Sequence, residues 1–270
     1  MWYKNKLMLL PTTIGIIVIG WGLKSVILPT NTPTSIPPVT KLTQVDENRA
    51  TVAAIADRVT VRVVTDAAYG SGVIVAQQGQ TYTVLTSQHV VGESKQSKYQ
   101  ILVADGKSFP ARVKPFPNAQ KLDLALLEFD SQAQYSVVTI GKLTELSAGV
   151  PVYAAGFPNY YLVGKDNMEE TYKLSRKIFK FTTGTVGLIL QNPTLTDGYG
   201  LGYTNEVELG MSGGPVLNAR GELVGINGRS KYPLQGIDAF IFVDGSKPSV
   251  ENFEKMEPLS WAVPISANLW

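Results

Sequence analysis

Three polar residues of this chain are of the types that nucleophilic catalysis combines. His89 is the only histidine in 270 residues, Asp123 lies inside an apolar run, and Ser212 lies in the glycine-rich sequence Gly-Met-Ser-Gly-Gly-Pro. A histidine can take the proton of a serine hydroxyl near neutral pH. A buried carboxylate can fix the imidazole tautomer and stabilise its charged form. The three residue types together predict a nucleophilic serine at position 212.

Each residue also has a simpler interpretation. A lone histidine is often structural or solvated, Asp123 could be a carboxylate at a strand edge, and Ser212 could belong to a hairpin turn. Ser212 also satisfies the G-x-S-x-G elbow of α/β-hydrolases, but that fold places the histidine after the serine. No histidine follows Ser212, which excludes the elbow, and the flanks predict strand–turn–strand over Val207–Ser212 and Val216–Val224.

The three segments resemble the triad motifs of trypsin-like serine peptidases, and the chain is most similar to the bacterial HtrA/Deg-type enzymes. Thr86–His89 fits the family pattern of threonine, a small residue, any residue and histidine, and the order His, Asp, Ser also matches. Lesser matches lie at Gly70–Val75, Ala154–Pro158, Thr183–Val186, Leu223–Asn227 and Trp261–Ile265.

The resemblance implies a serine endopeptidase that cleaves polypeptides outside the cytoplasm through an acyl-enzyme, with His89, Asp123 and Ser212 as the catalytic residues. The backbone N–H groups of Gly210 and Ser212 would form the oxyanion hole. No cofactor and no metal are implied. The alternative is a catalytically silent peptidase fold that acts as a peptide-binding or chaperone-like module.

Two departures from the family pattern change what is expected. Many trypsin-like enzymes have an aspartate before the serine, which pairs with a new N-terminus on activation, whereas this chain has Met211. Activation through that ion pair is therefore not expected. The sequence ends at Trp270, five residues after Ile265, so we expect no PDZ domain.

The resemblance places the substrate pocket near four residues, Glu206, Asn227, Gly228 and Arg229. Glu206 precedes Ser212 by six residues, where the trypsin pattern has its specificity acid, and it could favour a basic side chain. It could equally be a solvated loop residue. Arg229 could instead favour an acidic side chain, so the cleavage specificity stays open.

The elements that would position these residues are mostly short strands. β-branched residues, alternation and turn signals predict strands at Val59–Val64, Gly72–Ala76, Thr81–Thr86, Tyr99–Val103, Ala111–Val113 and Leu124–Phe129, with a second set from Val150 to Ile265. The predicted fold is all-β, with two six-stranded antiparallel barrels at about 58–140 and 146–268. A helix is predicted from a cap at Asp46 to Arg58. Tyr160–Lys177 is predicted as a surface loop.

The N-terminal residues have a different composition. Lys4 and Lys6 precede an apolar stretch from Leu7 to Leu23, so residues 1–28 are predicted as a signal anchor or signal peptide. No clear A-x-A-like cleavage site follows, which favours an uncleaved anchor with the peptidase domain on the far side of the membrane. Residues 29–45 form a proline- and threonine-rich linker, and residues 46–270 the trypsin-like domain.

Composition limits the classes of partner. Charged residues make up 17% of the chain and the formal net charge is +2, so no nucleic-acid partner is expected. The chain has no cysteine and cannot use disulfides, but a domain of this size can rely on its core. The expected partners are polypeptide substrates and, through the N-terminal segment, a membrane. The oligomeric state is left open.

Overall fold

The computed structural model describes residues 39–92, 94–116, 121–163, 167–170, 175–192 and 194–267. The predicted signal anchor or signal peptide at 1–28 lies outside these residues, as does most of the predicted linker. Within the described residues, no helix is both long and apolar enough to cross a membrane.

The first six strands form a closed antiparallel barrel in the order β1-β2-β3-β6-β5-β4. Their bounds are β1 Thr60–Thr65, β2 Tyr69–Gln78, β3 Thr81–Thr86, β4 Tyr99–Leu102, β5 Ser108–Lys114 and β6 Ala125–Asp130. Closure comes from the pairing of β4 with β1. Branched and aromatic side chains such as Val61, Ile74 and Phe129 fill the interior. The predicted first barrel is confirmed.

A second closed antiparallel barrel has the order β10-β11-β14-β13-β12-β7. Its strands are β7 Pro151–Gly156, β10 Lys180–Ile189, β11 Leu201–Tyr203, β12 Pro215–Leu217, β13 Leu223–Arg229 and β14 Ser260–Pro264. The second barrel is confirmed, but Val207–Ser212 is wrong as a strand. Its residues form turns and irregular backbone between β11 and β12, and the positive φ of Gly210 is incompatible with a regular strand.

Among the described residues, three α-helices accompany the barrels: α1 Val39–Val59, α2 Gln88–Gly92 and α3 Val250–Met256. The predicted start and cap at Asp46 are wrong, because α1 begins at Val39 within the segment predicted as linker. No proline or glycine occurs between Val39 and Asp46, so nothing in that stretch interrupts the helix. Val52, Ala56 and Val59 of α1 are buried at helical spacing.

The insertion between β7 and β10 is not the loop that we predicted. Strands β8 Tyr160–Val163 and β9 Asn167–Glu170 pair as an antiparallel two-stranded sheet, and a 3-10 helix follows at Ser175–Ile178. Tyr-Tyr-Leu-Val is rich in aromatic and branched residues, which suits a strand. The many charges of the neighbouring residues concealed this preference.

The two barrels share a core and meet at the turn that holds Ser212. Buried residues of both barrels and of α1 form one hydrophobic cluster, which includes Leu85, Leu217 and Val52. At the junction, the backbone N–H of Ser71 on β2 donates to the carbonyl oxygen of Ser212 at 2.8 Å. The serine turn of the second barrel is therefore anchored on the first.

Candidate active site

His89 and Asp123 form a tight hydrogen-bonded pair. His89 lies in α2, directly after β3, and its Nδ1 is 2.6 Å from Oδ2 of Asp123. The backbone N–H of His89 donates to the other carboxylate oxygen, Oδ1, at 2.8 Å. Two contacts from one residue fix both oxygens of the carboxylate. The 45% exposed imidazole leaves its other face open to a substrate.

The surroundings of Asp123 keep its carboxyl ionised. Asp123 is only 8% exposed, and burial alone would raise its pKa. Hydrogen bonds from His89 and from the hydroxyl of Tyr199 outweigh that effect, so the pKa of Asp123 lies below its usual value. A carboxylate held ionised in this way is suited to orient an imidazole and to stabilise its protonated form.

Tyr199 is a member of the site that the sequence did not reveal. Its ring is buried, and its hydroxyl donates a short hydrogen bond to Oδ2 of Asp123. Burial and the Asp123 charge raise the pKa of Tyr199, so the hydroxyl keeps its proton. Tyr199 is 76 residues from Asp123 in the chain, and a single tyrosine before a short strand carries no motif that could have identified it.

The turn around Ser212 depends on glycine at two positions. Gly210 has φ +97° and Gly213 has φ +85°, both in the region that side chains avoid. A Cβ at Gly213 would lie 2.1 Å from the carbonyl oxygen of Ser71, and one at Gly210 would lie 2.6 Å from that of Phe157. The glycines thus allow the second barrel to bring Ser212 against the first.

The same turn leaves two backbone donors free. Among the described residues, nothing accepts a hydrogen bond from the N–H of Gly210 or of Ser212. The first barrel fixes the orientation of the turn, because Oγ of Ser71 on β2 donates to the carbonyl oxygen of Gly210 at 2.8 Å. Ser71 Oγ in turn accepts from the N–H of Phe157 at 2.9 Å. Two unbonded N–H groups beside a serine can bind an oxyanion.

The hydroxyl of Ser212 has one hydrogen bond to the described residues. It donates to the carbonyl oxygen of Gly228 on β13 at 3.5 Å, the long limit of such bonds. Within the described part of the chain, no hydrogen bond joins Ser212 to His89. Catalytic hydrogen bonds often tighten only when substrate is bound, so the lack of this bond does not exclude a role for the two residues in one site.

The four residues predicted for the substrate pocket lie in different places. The exposed Glu206 forms an ion pair with Lys231 at 2.5 Å. Asn227 is buried, and its side-chain amide donates to the carbonyl oxygens of Ala155 and Met211. Asn227 therefore supports the turn that holds Ser212 from the interior of the second barrel.

Gly228 and Arg229 do lie beside His89. A cavity of about 600 Å³ is lined by Gln88, His89, Leu122, Asp123, Asp197, Tyr199, Gly228 and Arg229. The structure thus brings the His89–Asp123 pair together with two of the four pocket residues. In the part of the chain that the structure describes, no group of His, Cys, Asp or Glu side chains could hold a metal ion.

Comparison with known proteins places this arrangement in a family. The sequence of residues 70–226, more than half of the chain, matches the trypsin-like peptidase domain. It is 29% identical to mouse serine protease HTRA4 over 168 residues, which are 58% of this chain and 29% of that protein. It is also 29% identical to mitochondrial serine protease HTRA2 of Drosophila ananassae over 193 residues, 68% of this chain and 39% of that one.

The fold has a counterpart among solved structures. The serine endoprotease from Yersinia pestis matches 80% of this chain and 62% of its own, with a TM-score of 0.55 and 23% sequence identity. The chain spans well under half the length of the two curated relatives it matches. Because the family match covers all three predicted triad positions and most of both barrels, the chain belongs to the trypsin-like peptidase domain family.

Proposed function

We propose that this chain is a serine endopeptidase with Ser212 as nucleophile, His89 as general base and Asp123 as the residue that orients it. One observation carries the proposal: the only histidine of the chain donates through Nδ1 to a buried carboxylate at 2.6 Å. In a neutral imidazole, that bond places the proton on Nδ1 and leaves Nε2 as the nitrogen that can accept a serine proton.

The reaction follows from these roles. Ser212 Oγ attacks the carbonyl carbon of a peptide bond while its proton passes to Nε2 of His89. The carbonyl oxygen takes the negative charge and is held by the N–H groups of Gly210 and Ser212. The tetrahedral intermediate then collapses, the C–N bond breaks, and His89 returns the proton to the leaving amine. Water, deprotonated by His89, hydrolyses the acyl-enzyme and frees Ser212.

The first step requires Ser212 to leave its contact with Gly228. At 3.5 Å that hydrogen bond is weak, so turning the hydroxyl towards His89 costs little. A bound peptide would favour the change by excluding water from the cavity beside His89. The substrates are polypeptides, as is usual for the family. Arg229 lies in this cavity but is paired with Asp197, and Glu206 is paired with Lys231, so neither charge alone determines the preferred substrate side chain.

The test is peptidase activity against an unfolded protein, measured on wild type, Ser212→Ala, His89→Ala and the control Ser108→Ala. Ser108 is exposed at the start of β5, its hydroxyl donates to Gln100, and it does not line the cavity beside His89. We expect loss of about 10⁶-fold in kcat for the first two variants and no change for the control. If Ser212→Ala kept wild-type turnover, the assignment would be wrong.

A second candidate function is the silent peptide-binding or chaperone-like module. The observation that favours it is the hydrogen bond of Ser212 to Gly228 in place of His89. A folded wild type that binds unfolded polypeptides but turns them over no faster than Ser212→Ala would support this second function.

We also propose that the domain acts outside the cytoplasm, attached through residues 1–28. Lys4 and Lys6 before the apolar stretch Leu7–Leu23 support a cytoplasmic N-terminus. Alkaline phosphatase fused after Trp270 in bacterial cells should be active, and the intact chain should stay in the membrane fraction. An inactive fusion would contradict export, and a shortened soluble chain would identify a cleaved signal peptide.

A further inference from the structure

A loop between β10 and β11 holds Asp123 at two points. The carbonyl oxygen of Asp197 accepts the backbone N–H of Asp123 at 2.8 Å. Two residues later, Tyr199 donates its hydroxyl to Oδ2 of the same residue. Oδ2 is also the oxygen that receives Nδ1–H of His89. The loop therefore restrains both the backbone and the carboxylate of Asp123.

Space for the Tyr199 hydroxyl exists only because residue 228 is glycine. A Cβ at Gly228 would lie 2.1 Å from Oη of Tyr199 and 2.3 Å from its Cε1. Any larger residue at 228 would push the ring away from Asp123. Gly228 is also the residue whose carbonyl oxygen accepts from Ser212, so this one position contacts both Ser212 and Tyr199.

Arg229 holds the outer face of the ring. Its guanidinium carbon is 4.3 Å from the centroid of the Tyr199 ring. The same group donates to the carbonyl oxygen of Ala239 at 2.8 Å and pairs with Asp197 at 3.2 Å. Because Ala239 and Asp197 hold the planar guanidinium in place, it forms a fixed surface on which the aromatic ring can stack.

We propose that Tyr199 is a positioning residue for the His89–Asp123 pair and that Arg229, stacked on its ring, keeps it in place. The inference rests on the proposed function, in which His89 is the general base. Three groups donate hydrogen bonds to the two carboxylate oxygens of Asp123, and the carboxylate has one orientation in which it accepts all three. That orientation directs Nε2 of His89 towards the substrate side.

The first test is Tyr199→Phe, which keeps the ring and its stacking but removes the donor. We expect kcat to fall about tenfold, the equivalent of one hydrogen bond to a charged group, with KM within twofold of wild type. The acid limb of the kcat/KM profile should move to higher pH. Without the Tyr199 hydroxyl, less of the negative charge of Asp123 is neutralised by hydrogen bonds. The carboxylate then stabilises the protonated form of His89 more strongly.

A second readout does not depend on activity. Because His89 is the only histidine, ¹⁵N-histidine labelling gives the imidazole signals of one residue without assignment. In Tyr199→Phe the pH midpoint of these signals should rise. The charged and titratable groups that face the imidazole in its cavity are Asp123, Tyr199, Asp197 and Arg229, and the variant changes only one of them.

The matched control is Tyr82→Phe. Tyr82 is a fully buried tyrosine of the first barrel, and its hydroxyl donates to the carbonyl oxygen of Ala133 at 3.0 Å. Its loss should lower the melting temperature as Tyr199→Phe does, yet leave the pH profile and the His89 signals unchanged.

A second variant, Arg229→Lys, keeps the charge but removes the planar stack. Arg229→Lys should lower kcat about threefold and shift the acid limb of the kcat/KM profile by a small amount. This variant tests the proposal if Tyr199→Phe does not fold. Wild-type kcat and imidazole midpoint in either variant would overturn the corresponding part of the inference. If Ser212→Ala and His89→Ala were active, the proposed function itself would fail, which is a separate result.

Discussion

Asp123→Asn is the sharpest test of how the site works, because its effect can be derived atom by atom. Oδ1 of Asp123 accepts the backbone N–H of His89, and Oδ2 accepts from Nδ1 of His89 and from Tyr199. An asparagine has one oxygen and one NH₂ group. If the NH₂ faced the backbone N–H of His89, two donors would meet at 2.8 Å. The amide oxygen should therefore take the Oδ1 position.

That orientation places the NH₂ group against Nδ1 of His89 and against the hydroxyl of Tyr199, which can turn and accept from it, as a backbone N–H cannot. The imidazole must then carry its proton on Nε2, so it can no longer accept the proton of Ser212. A wrong tautomer with otherwise intact geometry lowers kcat about 10⁴-fold in a triad of this kind, or about 5 kcal/mol of activation free energy. Folding should survive, since the amide still forms hydrogen bonds with its neighbours.

The assay pairs steady-state kinetics with ¹⁵N NMR of the single histidine. The expected result is a loss of about 10⁴-fold in kcat together with a change of the neutral imidazole from the Nδ1–H to the Nε2–H tautomer. Asp130→Asn is the control, because Asp130 is an exposed aspartate that ends β6. An Asp123→Asn protein that keeps the Nδ1–H tautomer and turns over substrate normally would refute the reasoning.

Three further predictions concern the serine turn and Asp123. Gly210→Ala should lower kcat about 10²-fold or more with a small change in KM, because a Cβ at φ +97° would displace one oxyanion donor; wild-type kinetics would contradict this. Ser71→Ala should lower the free energy of unfolding in urea by about 1–3 kcal/mol and reduce kcat, since the carbonyl oxygen of Gly210 and the N–H of Phe157 lose their buried partner. An unchanged free energy of unfolding would be inconsistent with this prediction. The lowered pKa of Asp123 stabilises the fold above its unfolded pKa of about 3.9, and this contribution is lost as the pH falls through the lower folded value. The stability advantage of wild type over Asp123→Asn should therefore shrink below about pH 4 in urea titrations, and a pH-independent difference would argue against an ionised Asp123.

The sequence predicted the barrels because their signals are local. Alternating and β-branched segments such as Thr81–Thr86 have the period of a half-buried strand, and the structure places β3 at those residues. The prediction missed the start of α1 because the capping-type Asp46 indicates a boundary, whereas no proline or glycine interrupts the helix between Val39 and Asp46. The β8–β9 sheet was missed because its charged neighbours outweighed a four-residue apolar segment.

The site was predictable where a motif carried it. His89 follows β3 and Asp123 precedes β6, and the pairing of these two strands brings the two side chains together. Tyr199, Ser71 and Asn227 support the site through contacts between residues far apart in the chain. A hydroxyl that reaches a carboxylate 76 positions away depends on the packing of two barrels, which local pattern does not encode.

The most direct measurement of the central claim is the reaction of the folded protein with a fluorophosphonate, located by mass spectrometry. We expect a single phosphonylated residue, Ser212, with a rate that falls at least 10³-fold in His89→Ala and is unchanged in Ser108→Ala. A folded protein that remains unlabelled, or a label at another serine, would contradict the claim that Ser212 is a nucleophile activated by the only histidine of the chain.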